Sequence, residues 1–100
     1  MTTTIQELDG NLVATFEGRL DTAASSETEK ALQPLVDCTG HDIIFDCRKL
    51  EYISSSGLRL LLGVLKNAKP KGSRVMIKDA NADIRRVFDM TGFTNLFEMI

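Results

Sequence analysis

The chain predicts an α/β fold: an initial β-hairpin, then βα units, giving a mixed four- or five-stranded sheet with helices mainly on one face. Three observations predict it. Asp9-Gly10 separates two strand-like stretches and marks a tight turn. Two short apolar runs, Ile43-Ile44-Phe45 and Val75-Met76-Ile77, read as buried strands. Each of these is followed by a stretch of helical spacing, and alternating β and α elements imply parallel βαβ crossovers.

The elements follow in order. Residues 4–18 form the hairpin, with Leu12, Ala14 and Phe16 alternating against Val13, Thr15 and Glu17 on its second strand. Gly18-Arg19-Leu20-Asp21 leaves that strand, and Asp21 or Thr22 caps a helix over about 23–36. Its apolar positions are Ala24, Ala31, Leu32 and Leu35, and Pro34 kinks or ends its last turn. Thr39-Gly40-His41 is a loop, and a buried strand occupies 42–46.

A short connection carrying Leu50, Tyr52 and Ile53 then meets Ser54-Ser55-Ser56-Gly57, where the pattern changes to helical. On this second helix, about 56–68, Leu58, Leu61, Leu62, Val64, Leu65 and Ala68 share one broad arc. Arg59, Gly63, Lys66 and Asn67 share the opposite one, with Leu60 at the boundary. Pro70-Lys71-Gly72 breaks the helix, and 74–78 is another strand. Asn81 or Asp79 caps a third helix of about 82–91, with Ile84, Val87 and Phe88 inward and Gly92 as its stop. Phe93 to Ile100 is an apolar tail, a short strand or turn docked on the core.

Composition narrows the function classes. One hundred residues, 43% hydrophobic and 26% charged, fit one ordinary globular domain spanning 1–100. A net charge of -2 gives no general attraction to nucleic acid or anionic lipid. The local basic cluster of Lys66, Lys69, Lys71, Arg74 and Lys78 reads as a solvated helix end and strand edge, with a partner- or lipid-facing patch as the alternative. No signal peptide opens the chain and no run approaches the length of a membrane span, so a cytoplasmic location is expected. Cys38 and Cys47 are expected to be reduced, partly buried thiols, and with the lone His41 they offer no metal site. No cofactor is expected.

The serine run is where chemistry is expected. A serine at a helix start ordinarily caps it, since its oxygen accepts from backbone N–H groups that lack partners. Three in a row is more hydroxyl than one cap needs, so Ser55 is assigned the chemistry and Ser54 or Ser56 the cap. Gly57 allows close backbone approach beside the loop. Gly63, on the polar arc, costs roughly 1 kcal/mol relative to alanine, which points to contact with a partner or to tight packing. A serine-nucleophile enzyme is disfavoured: the chain has no Gly-x-Ser-x-Gly elbow, and His41 is its only histidine.

Across about 95 residues the chain resembles STAS domains of the anti-sigma factor antagonist type. The family's Gly-x-Leu-Asp is matched by Gly18, Leu20 and Asp21. Its strand-ending Asp, aromatic-aliphatic pair and Ser-Ser/Thr-Gly-Leu helix opening are matched by Asp46, Tyr52, Ile53, Ser55, Ser56, Gly57 and Leu58. Ser54 stands where the best-known members have Asp. The resemblance implies the STAS fold and a non-enzymatic partner switch, with Ser55 as the phosphorylated serine. An anti-sigma factor that is also the serine kinase binds the unphosphorylated form, releasing a sigma factor, and a metal-dependent Ser/Thr phosphatase restores binding. Partner contacts are then expected from Asp21, Ser54, Ser56, Gly57, Arg59, Leu60, Gly63 and Asn67, with no direct nucleic-acid or membrane contact. The alternative is a STAS accessory subunit of a lipid-transport complex, working without phosphorylation.

Overall fold

A computed structural model describes residues 1–100. The strands are β1 (Thr2–Leu8), β2 (Asn11–Leu20), β3 (Asp42–Ile53), β4 (Val75–Lys78) and β5 (Glu98–Met99). The helices are α1 (Thr22–Ala31), α2 (Gln33–Asp37), α3 (Ser55–Ala68) and α4 (Ala82–Thr91). The five strands lie in the order β1-β2-β3-β4-β5, with β1 antiparallel to β2 and every later pair parallel.

The hairpin turn follows from its residues. Asp9 and Gly10 have φ of 53° and 81°, the left-handed values that a two-residue turn between twisted strands requires. From β2 onward each crossover steps to the next strand in the same direction. Right-handed crossovers of that kind place every connecting helix on one face. The register agrees: Ala14, Phe45 and Ile77 are partners across three strands and all are buried in the core. Phe16 stacks on Phe45 with ring centroids 5.6 Å apart. Phe88 of α4 stacks on Phe93 and Phe97, which anchors the tail that ends in β5.

Two expectations are corrected. The helix expected over 23–36 is two helices. Pro34 has no N–H to donate to the carbonyl of Lys30, and its ring would crowd that carbonyl, so α1 ends at Ala31. Pro34 sits instead in the first turn of α2, where an N–H has no partner to lose. Thr28, absent from the expected apolar face, is buried because its hydroxyl donates to the Ala24 carbonyl at 2.9 Å.

The strand expected over 42–46 runs for 12 residues, so Asp46 does not end it. The connection carrying Leu50, Tyr52 and Ile53 is strand because β2 continues beside it to Leu20. Irregularities between Thr15 and Glu17 and between Gly18 and Arg19 shift the register twice. These shifts disguised the alternation of the second half of β3. Leu50 and Ile53 still reach the core.

Cys38 and Cys47 are free thiols, Cys38 half-buried and Cys47 fully buried, deeper than expected. Burial, with the Asp46 carboxylate adding to it, pushes the Cys47 thiol up to about 12. No helix is long and apolar enough to cross a membrane.

Candidate functional site: the serine loop and the outer face of α3

In sheets of this kind, functional loops gather beyond the carboxyl ends of the parallel strands. Here those ends deliver Asp21 after β2 and Ser54-Ser55-Ser56 before and within the first turn of α3. The backbone N–H of Ser54 donates to the Leu20 carbonyl at 2.9 Å, tying the two loops together. Asp21 is half-buried and caps α1, its Oδ1 accepting from the Ala24 N–H at 2.9 Å. Asn81, after β4, caps α4 and also donates its side-chain N–H to the Leu50 carbonyl at 2.7 Å.

The three serines have different surroundings. Ser54 is the N-cap of α3, only 8% exposed, and its Oγ accepts from the Gly57 N–H at 3.1 Å. Ser55 is the first residue of the helix and is exposed. Ser56 is half-buried. The cap is therefore assigned to Ser54, and Ser55 is the serine open to solvent at the positive end of the helix.

Gly57 is buried because nothing larger fits. A Cβ there would lie 2.7 Å from Leu20 Cγ and 2.9 Å from Ile53 Cγ1. The glycine lets the helix start directly against the ends of β2 and β3, so its place in the site is packing beneath the loop.

Along α3, Leu58, Leu61, Val64, Leu65 and Ala68 are buried as their spacing requires. Leu62, expected on that arc, is only half-buried. Arg59 and Gly63 are exposed, and Leu60 and Asn67 are half-buried. A Cβ on Gly63 would meet nothing within 4 Å, so packing inside the chain does not explain this glycine. These four residues form one wall of a groove of about 310 Å³ whose other wall includes Leu32, Gln33 and Val36.

Sequence reasoning missed that second wall. The sequence places Leu32 on the apolar face of the first helix and does not single out Val36, and the break between α1 and α2 decides where both face. It also missed Arg19, whose guanidinium lies 4.4 Å from the centroid of the Tyr52 ring. Only the shifted register makes these two residues neighbours. Two cations of the basic cluster have structural partners. Lys71 Nζ donates to the carbonyls of Val36 and Cys38 at 2.6 and 3.0 Å, and Arg74 makes a bidentate pair with Glu98.

Comparison with known proteins gives this arrangement a family. Residues 2–100 match the STAS domain family, and the chain belongs to it. BtrV of Bordetella bronchiseptica is 31% identical over 97 residues, covering 97% of this chain and 84% of that protein. The anti-sigma-B factor antagonist of Staphylococcus epidermidis is 30% identical over 82 residues, covering 82% and 76% respectively. The anti-sigma factor antagonist SpoIIAA in its unphosphorylated form superposes with a TM-score of 0.82 at 19% identity, covering 99% of this chain and 88% of that one. Its phosphorylated form, from Bacillus, gives 0.75 at the same identity, covering 99% and 91%. The relatives named for a role are regulators that antagonise anti-sigma factors.

Proposed function

We propose that this chain is an anti-sigma factor antagonist working as a phosphorylation-controlled switch, with residues 1–100 acting as one STAS unit. Unphosphorylated, it binds an anti-sigma factor that is also a serine kinase, and a sigma factor is released. Phosphorylation of Ser55 breaks the complex, and a metal-dependent Ser/Thr phosphatase restores it. The chain acts by binding and not as an enzyme.

The observation carrying this reading is the exposed Ser55 at the start of α3, one turn before Arg59 and next to an outer helix face with a groove beside it. A kinase can reach such a hydroxyl. The helix N-terminus tolerates the added anion, because free backbone N–H groups and the helix dipole face it. The cap is held separately by Ser54, so modification of Ser55 leaves the helix start intact.

The partner surface comprises Asp21, Ser54, Ser56, Arg59, Leu60, Gly63 and Asn67, with Gly57 supporting the loop from below. The bare Gly63 lets a partner's backbone approach α3 closely, which offsets the roughly 1 kcal/mol a helical glycine costs. Phosphate at Ser55 acts by occlusion and charge repulsion at that surface. It adds about -1.5 to -2 charge, and damage to one buried contact commonly costs about 2–5 kcal/mol of binding. A refolding switch would need about 5.5 kcal/mol to invert a 1:99 equilibrium, and nothing at the loop supplies it.

The test is incubation with the cognate kinase followed by mapping of the modified residue. Modification at Ser55, lost in Ser55→Ala, supports the switch. Absence of any kinase reaction, with co-purification of a transporter ATPase, moves the chain to the accessory-subunit role.

A further inference from the structure

One face of the sheet carries no helix, although β2 to β5 run parallel and such sheets ordinarily have both faces covered. Register places Val13, Ile44 and Met76 in one row across this face, and Thr15, Asp46 and Lys78 in the next. Val13, Ile44, Asp46 and Lys78 line one shallow depression of about 240 Å³, with the exposed Leu8 at its side.

On the first five residues of β3 the charges are acidic, Asp42 and Asp46, with Arg48 and Lys49 following, while Arg74, just before β4, and Lys78 at its end carry the opposite sign. Asp42 already accepts from the Arg74 backbone N–H at 2.9 Å. Arg74 is already held by Glu98. Asp46 and Lys78 are register partners, yet no ion pair joins them, and Asp46 accepts only from the Arg48 N–H at 3.1 Å.

We propose that this face docks a second copy of the chain, around a twofold axis parallel to the strands and between β3 and β4. Such an axis sets the unpaired Asp46 of one copy over the unpaired Lys78 of the other. Asp46 then meets the Lys78 position of its mate twice over, and the half-buried Ile44 lies beside the axis, while Val13 and Met76 are already buried within each copy. A twofold axis across the strands would set Asp46 over Asp42 and Lys78 over Arg74, so like charges exclude that arrangement. The interface is isologous and closes at two copies. The buried area is on the order of 1,000 Å² in total, the lower limit for a specific interface, which places the dimer among weak, concentration-dependent associations.

The axis leaves strand direction unchanged. Both copies therefore present the Ser54–Ser56 loop at the same end, and both α3 faces point outward, leaving the proposed partner surface free. Loss of the dimer would leave the switch assignment standing.

Sedimentation equilibrium from about 10 μM to 1 mM tests the proposal through a charge exchange. Wild type should pass from monomer to dimer across that range. Asp46→Lys alone and Lys78→Asp alone should each weaken association at least about tenfold, because each sets like charges together in both contacts. An equimolar mixture of the two variants should recover the dimer, since each contact again pairs opposite charges, a recovery that misfolded protein could not give. A wild type that stays monomeric to 1 mM, single variants that associate like wild type, or a mixture that does not recover would each overturn the proposal.

Discussion

The Oγ of Ser54 accepts from the Gly57 N–H at 3.1 Å, and that contact separates the roles of three adjacent serines. It commits Ser54 to the helix and leaves Ser55 at the surface. Ser54→Ala should cost about 1–2 kcal/mol, a loss of roughly 5–15 °C in Tm for a domain of this size. Ser54→Asp, which keeps a capping oxygen, should recover most of that. Ser55→Ala should stay within about 0.5 kcal/mol of wild type, as expected for a surface position. Thermal melts of the three variants check the division.

The two glycines of α3 should respond oppositely to alanine. Gly57→Ala forces a Cβ to within 2.7 Å of Leu20 Cγ, and overpacking of this kind costs about 1–3 kcal/mol. Gly63→Ala meets open space and should stabilise the fold by about 0.5–1 kcal/mol. Urea denaturation of both variants measures the difference.

Gly63→Glu should cut partner binding at least about tenfold while Tm stays near that of wild type, because the bulk and charge project only into the groove wall. Equal loss of stability and binding would place the glycine in the fold instead. Calorimetric titration with the partner, alongside melts, separates the outcomes.

Cys47 sets an alkaline limit on stability. Its folded thiol is pushed up to about 12 by burial, from an ordinary value of 9.0. A raised value means the folded state holds the proton more tightly, so this contribution is full below pH 9. It is lost as pH rises from there towards 12. At pH 11 the loss should be about 2–3 kcal/mol, at 1.36 kcal/mol per pH unit. Cys47→Ala, less stable at pH 7 by its smaller volume, should show a correspondingly shallower decline between pH 9 and 11.

The sequence showed the fold wherever a local signal matched its element. Asp9-Gly10, the apolar runs at 43–45 and 75–77, and the 3.6-residue period of α3 all act within a few residues. The failures share a cause. The second half of β3 is held by β2 through a twice-shifted register, and nothing local to Leu50-Glu51-Tyr52 announces that partner. The Arg19–Tyr52 stack depends on the same shift. At the site, the exposed arc of α3 was legible from periodicity, whereas the opposing wall needed the α1–α2 break at Leu32. The assignment of the cap among three serines could only come from geometry.

The most direct test of the switch is titration of the isolated kinase partner with wild type, Ser55→Ala, Ser55→Asp and the phosphoprotein, with amide NMR spectra of each. Wild type and Ser55→Ala should bind alike, while Ser55→Asp and the phosphoprotein should bind roughly 30- to several-thousand-fold more weakly. Their spectral changes should be confined to the loop and α3. Tight binding by Ser55→Asp together with no kinase reaction at Ser55 would contradict the account, and shifts spread across the whole sheet would contradict local occlusion.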